Sequence, residues 1–254
     1  MWRRRRGSEP LDGFAELAST SLAVWRILNE QERQRLVELG SELVTQARWE
    51  AAQGFELTDE MVVTIAGGAA LLVLELGIEQ FRHVHSIVVH PRAVTLPGIR
   101  SGPAGTVTDT PSTVIGQAEH GRGAILIAWR DARRSARHLH MSENVVLHEF
   151  AHKLDMLDGT VDGTPPIDDP ALSDAWVRIC TREFEHLRSG AFDPVLRPYA
   201  ATDPGEFFAV ATEAFFGRPL DMRSLKPELY GVLSSFYRQD PARRFDPAAQ
   251  GPAA

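Results

Sequence analysis

The sequence predicts an α+β fold, predominantly helical with a small mixed sheet, and three observations carry that expectation. Apolar residues recur at helical spacing through the first third of the chain and again beyond residue 142. Two short runs rich in β-branched and aliphatic residues lie between those regions, Ser86-Ile87-Val88-Val89-His90 and Gly123-Ala124-Ile125-Leu126-Ile127-Ala128-Trp129. Glycine and proline gather around those runs, at Pro97-Gly98, Gly102-Pro103 and Gly121-Arg122-Gly123.

In chain order, the first helices are expected over Leu17–Leu28, Glu30–Ala52 and Asp59–Leu76. Asn29 with Glu32 three residues later is a capping-box signature for the second of them. Met61–Leu74 is the most apolar segment, but it is too short to cross a bilayer and is flanked by Glu60 and Glu75, so no spanning helix is expected. The two β-branched runs are the strands. Helices return over Asn144–Leu157, Ala171–Arg188, Asp203–Phe216 and Pro227–Tyr237. Asp158–Pro170, rich in Gly, Asp and Pro, and Ser189–Thr202 read as loops between them. One domain is expected over residues 14–240, with a helical N-terminal lobe over about 14–80 and a core over about 81–240. Residues 1–13 and 241–254 read as disordered tails, the first made basic by Arg3 to Arg6.

Composition narrows the function. A chain of 254 residues, 43% of them apolar, can bury a sizeable core. Its net charge of −7 argues against direct nucleic-acid binding, which needs a concentrated positive surface. Cys180 stands alone, so no internal disulfide forms, and it reads as a buried spectator. With no apolar signal-peptide core behind Arg3–Arg6 and no spanning helix, the expected compartment is the cytoplasm.

The chemistry concentrates at His148-Glu149-Phe150-Ala151-His152. Leu147, Phe150, Ala151, Leu154 and Leu157 follow helical spacing, so the two histidines, four apart, share a face one turn from each other. That is the geometry two ligands of one Zn²⁺ ion need, and Glu149 between them is placed for general-base work on water. Val145-Val146-Leu147 just ahead of the motif indicate a buried helix, where such polar groups require partners.

Hydrolytic zinc takes three protein ligands, and no third histidine follows closely: His152 is succeeded by Lys153-Leu154-Asp155-Met156-Leu157-Asp158-Gly159. The strongest downstream segment starts a helix with Asp203 as N-cap and Pro204 at its first position. Glu206 and Glu213 lie seven apart on that helix among Phe, Ala and Val. Two readings of Glu206 stand side by side here, metal ligand or closing residue of a capping box. Glu213 reads as an ion-pair partner behind the ligands, and Asp155 is a second candidate for such support.

The motif His-Glu-Phe-Ala-His-Lys-Leu-Asp-Met-Leu-Asp-Gly, followed by Tyr199 and then Glu206-Phe207-Phe208-Ala209-Val210, resembles the Mlc titration factor A (MtfA) family of zinc metallopeptidases. The likeness extends to Gly54-Phe55-Glu56-Leu57, Leu74-Glu75-Leu76-Gly77 and Phe236-Tyr237-Arg238-Gln239-Asp240-Pro241. The resemblance implies a zincin-like core of gluzincin type, similar to that of anthrax lethal factor. It implies one Zn²⁺ held by His148, His152 and Glu206, with Tyr199 lining the site and Glu149 as base. It also implies a peptide or protein substrate, aminopeptidase-like cleavage, and binding of a glucose-responsive transcriptional repressor of the Mlc type.

On this reading Tyr199 donates to the oxyanion that forms when water adds to a peptide carbonyl. The strand Ala124–Ala128 is expected to offer a free edge to an extended peptide. Two rivals remain: a regulatory binding protein that sequesters a transcription factor around a structural zinc, and a metal-dependent amidase on the same scaffold.

Overall fold

The computed structural model describes residues 11–52, 54–92 and 124–245 with their side chains, and elsewhere only the backbone of short strands within 3–5 and 94–118. The strands are β1 (Arg3–Arg5), β2 (Arg48–Ala51), β3 (Ser86–His90), β4 (Val94–Leu96), β5 (Arg100–Ser101), β6 (Val107–Thr108), β7 (Ser112–Val114), β8 (Gly116–Ala118) and β9 (Ile125–Ala128). The helices are α1 (Phe14–Ser21), α2 (Glu30–Gln46), α3 (Asp59–Leu72), α4 (Trp129–Ala136), α5 (Val145–Asp155), α6 (Pro170–Arg188), α7 (Pro204–Gly217), α8 (Pro219–Leu225) and α9 (Pro227–Tyr237).

One mixed sheet runs β1-β2-β3-β9-β8, parallel from β2 through β9 and antiparallel at both edges. Its central strands bury Trp49, Ile87, Val89, Ile125 and Ile127 completely. A parallel pair needs a crossover, and α3 is the helical part of the one joining β2 to β3. Thr58 caps that helix, whose residues from Met61 to Leu72 are apolar save for Thr64 and two glycines. Gly68 lets α3 approach α5 closely: a β-carbon there would stand 3.0 Å from Val146 Cγ1. The core is continuous from Leu11 to Ala242, so the helical N-terminal region shares it with the rest.

The expected capping box is present, with Asn29 Oδ1 accepting from the Glu32 N–H and Glu32 Oε2 accepting from the Asn29 N–H, both at 2.9 Å. Several boundaries differ from expectation. The helix predicted through Ala52 stops at Gln46, because the backbone turns extended at Ala47 and residues 48–51 pair in register with Ser86–Val89. The N-terminal stretch read as a tail contributes Arg3–Arg5 as an edge strand on β2. Residues 241–245 are a docked 3₁₀ turn in place of a tail: Arg244 donates to Glu32 at 2.9 Å and to Gln239 at 2.8 Å. The basic position Arg6 and residues 246–254 lie outside the described residues. Helices α4 and α8 were not anticipated.

The edge expected at Ala124–Ala128 is overturned. β9 is paired on both sides, parallel to β3 and antiparallel to β8, so it has no free row of backbone groups. Cys180, expected to be buried, is half-buried, and burial pushes its thiol up to about 12, which keeps it protonated at neutral pH. Among the described residues no helix is long and apolar enough to cross a membrane.

Candidate metal centre

Helices α5 and α7 pack against each other and carry the centre between them. Asn144 starts α5, its Oδ1 accepting from the N–H groups of Val146 at 3.1 Å and Leu147 at 3.2 Å. Asp203 starts α7 and accepts from the Glu206 N–H at 2.9 Å. The Glu206 carboxylate does not turn back to close a capping box. It reaches across to α5, where Oε2 lies 3.0 Å from His148 Nε2 and 3.7 Å from His152 Nε2. The two Nε2 atoms are 3.2 Å apart.

His148, His152 and Glu206 thus bring one ligand atom each into a cluster that fits a metal ion. A tetrahedral zinc with bonds of about 2.0–2.1 Å has its ligand atoms roughly 3.3 Å apart, close to the three separations here. Glu206 Oε2 is buried, yet it makes no well-directed hydrogen bond among the described residues despite its short approach to His148. Lone pairs that converge on a shared point, rather than on one another, suit an ion at that point. Two imidazole nitrogens and a carboxylate oxygen are the donor set that zinc accepts in an open site.

Glu213 stands behind His148, as the sequence suggested. Its Oε1 is 2.7 Å from His148 Nδ1 and also accepts from Arg197, while Oε2 accepts from the Asn144 N–H at 2.5 Å. One carboxylate, 1% exposed, therefore orients a ligand ring and ties the first turn of α5 to α7. Burial by itself would lower the His148 pKa. The carboxylates of Glu206 and Glu213, one at each ring nitrogen, outweigh that and raise it to about 10 in the metal-free protein. Glu206 shows the other half of the same pairing: burial opposes ionisation, but the two histidines hold its carboxyl well below the usual range.

Asp155 ends α5. It is fully buried, its Oδ2 accepts from the Gly163 N–H at 3.0 Å, and its charge is felt by His152. Burial pushes its carboxyl up to about 7. Gly163 has φ +77°, and its carbonyl accepts from Trp176 Nε1 at 3.0 Å. A β-carbon at Gly163 would collide with the carbonyl of Pro204, the first residue of α7. Asp155 thus clips the end of the α5 helix to the loop that abuts the start of α7.

Glu149 is 3% exposed and projects into the cleft beside the cluster. Its Oε2 is buried without a hydrogen-bond partner among the described residues. Desolvation holds its carboxyl above the usual range, against the pull of His148 and His152. The cleft, about 260 Å³, is also lined by Tyr199, Arg197, Asp131, Arg134 and Glu143. Tyr199 donates to Glu206 Oε1 at 3.0 Å, and burial together with that carboxylate keeps its phenol protonated. Arg197, like Asp131, Arg134 and Glu143, lines the site without any motif in the sequence to mark it. Its only local signal was the position two residues before Tyr199, which carries no spacing rule.

The family model of the glucose-regulated metallo-peptidase M90 matches residues 1–238. The chain is 34% identical to an uncharacterised protein of Synechocystis sp. over 218 residues, 84% of this chain and 79% of that protein. It is 34% identical to the Mlc titration factor A of Yersinia enterocolitica over 226 residues, covering 85% and 82% of the two chains. With the Mlc titration factor A of Edwardsiella ictaluri it shares 31% identity over 249 residues, 96% and 94% of the respective chains.

Proposed function

The chain belongs to the glucose-regulated metallo-peptidase M90 family, and from that premise we propose that it is a zinc-dependent peptidase that removes residues from peptide N-termini. The observation that carries the proposal is the convergence of His148 Nε2, His152 Nε2 and Glu206 Oε2 beside Glu149, whose buried Oε2 has no hydrogen-bond partner among the described residues, at the wall of a cleft. Zinc, when bound, supplies the Lewis acidity that activates water at neutral pH and polarises a carbonyl.

The chain's own residues do the rest. Glu149, held above the usual carboxylate range by burial, takes a proton from the attacking water and returns it to the leaving amine. Tyr199 exchanges its bond to Glu206 for one to the substrate carbonyl oxygen as that atom gains charge. Glu213 keeps His148 in one tautomer by accepting at Nδ1. Cleavage at the amino terminus is supported by Asp131 and Glu143, two carboxylates in the cleft wall able to meet an ammonium group. Arg134 lies 3.6 and 3.8 Å from them, so it neutralises them only in part.

A structural zinc in a sequestering protein has no use for a buried base at an open face, and Glu149 is what separates the two readings. Glu149→Gln should keep zinc at one equivalent and lose hydrolysis of aminoacyl and internally cleaved reporters alike. Turnover at the wild-type rate in that variant would remove Glu149 as base. Greater cleavage of the internal reporters than of the aminoacyl ones would remove the exopeptidase reading. Binding of an Mlc-type repressor in the cytoplasm is a second proposed role. It rests on the names of the relatives, and a pull-down with such a repressor from the same host tests it.

A further inference from the structure

We infer that Arg197 is a positioning residue that couples the geometry of the ligand His148 to the orientation of Tyr199; the inference rests on the metallopeptidase reading and deepens it. One guanidinium makes two contacts. A terminal nitrogen donates to Glu213 Oε1, the same atom that lies 2.7 Å from His148 Nδ1. Its central carbon sits 5.2 Å from the centroid of the Tyr199 ring, within cation–π range. Tyr199 in turn donates to Glu206, whose other oxygen returns to His148 at 3.0 Å. His148, Glu213, Arg197, Tyr199 and Glu206 therefore form a closed circuit, and Arg197 joins the part that orients the metal ligand to the part that faces substrate.

The backbone beneath Arg197 is held independently of its side chain. Asp193 Oδ1 accepts from the N–H groups of Val195 at 2.9 Å and Leu196 at 2.8 Å. Arg218 donates to the Pro194 carbonyl at 2.9 Å, and Lys226 Nζ lies 2.5 Å from Asp193 Oδ2. Pro198 favours the extended conformation that Arg197 adopts, φ −74° and ψ 154°. Arg197 Nε is buried with no hydrogen-bond partner among the described residues, so the side chain is placed by Glu213 and Tyr199. Removing the guanidinium leaves the loop anchored but opens the circuit at one point.

The consequences separate by chemistry. Charge at Glu213 is a matter of any cation, whereas a flat face over the Tyr199 ring is a property of guanidinium that an ammonium lacks. The test measures zinc affinity by competition with a chromophoric chelator, and kcat and KM on a peptide the wild type cleaves, for Arg197→Met, Arg197→Lys, Tyr199→Phe and the Arg197→Lys/Tyr199→Phe double variant. Arg197→Met should weaken zinc binding about 10- to 100-fold, the usual effect of losing support behind a ligand. Arg197→Lys should hold zinc within about threefold of wild type, yet lose at least about tenfold in kcat at saturating zinc with KM little changed. In the Tyr199→Phe background the lysine substitution should cost no further kcat, since both act through one hydroxyl.

Wild-type zinc affinity in Arg197→Met, wild-type kcat in Arg197→Lys, or additive losses in the double variant would each overturn the inference. Should Arg197→Met not fold, the lysine variant and the double-variant cycle decide the matter. If the wild type binds zinc but cleaves no peptide, the peptidase reading fails while the zinc measurements still judge Arg197.

Discussion

Truncating the two glutamates of α7 should produce opposite patterns. Glu206 places an oxygen 3.0 and 3.7 Å from the two imidazole nitrogens, so Glu206→Ala removes one of three donor atoms. Zinc sites with four protein ligands bind with about 10–16 kcal/mol, or roughly 3–4 kcal/mol per ligand, which predicts a loss of about 10²–10³ in zinc affinity. Glu213 touches the metal only through His148, and Glu213→Ala should cost about 10- to 100-fold. The order reverses for the metal-free fold. Glu213 is 1% exposed and holds Asn144, His148 and Arg197 together, so its loss leaves a buried cation without its carboxylate, worth about 3–5 kcal/mol. At this chain length that lowers the melting temperature by roughly 10 °C. Glu206→Ala leaves His148 still paired with Glu213, so it should lower metal-free stability by less than Glu213→Ala does. Chelator competition and thermal unfolding of metal-free protein read the two effects separately. Weaker zinc binding in Glu213→Ala than in Glu206→Ala would refute the ligand assignment.

Gly163→Ala forces a β-carbon into a left-handed conformation and against the Pro204 carbonyl, which together should lower stability by about 2–5 kcal/mol; a melting temperature within 2 °C of wild type would contradict that. Lys226→Met takes from the little-exposed carboxylates of Glu183 and Asp193 the cation 2.5 Å from each, with Arg182 remaining on Glu183, at about 3–5 kcal/mol near pH 7. In the wild type burial pushes both acids up, but Lys226 with Arg182 at Glu183, and the Leu196 N–H with Lys226 at Asp193, outweigh it and hold them below their usual range, so their contribution is full above about pH 4 and lost as pH falls through the depressed values. In the variant burial acts unopposed by that cation and protonation relieves it, so the deficit should shrink from pH 7 toward pH 4. Denaturant titrations showing a deficit that is constant or grows in acid would refute this account.

The parts of the fold legible in the sequence are those with local causes. The capping box at Asn29, the Asp203-Pro204 helix start and the strand Ser86–His90 each follow from residues within one or two turns of each other. Strand β2 was hidden because Arg48-Trp49-Glu50-Ala51 continues a helical texture, and only its distant partner β3 makes it extended. The same reason defeats the edge-strand reading of Ala124–Ala128: pairing on both sides is a property of the sheet and leaves no mark on the strand itself.

The site divides along the same line. By itself the sequence determined that His148 and His152 share a helix face with Glu149 between them, because a spacing of four residues is nearly one helical turn. Spacing left Glu206 between ligand and cap, since both roles begin from the same position after Asp203, and only the family resemblance favoured the ligand. In the packing of α5 on α7 the cap is made by Asp203 alone, and the Glu206 carboxylate crosses to the histidines. Packing likewise assigned Asp155 to the Gly163 loop and brought in Arg197, because contacts between residues 8 to 69 positions apart are set by how the elements pack and not by any local pattern.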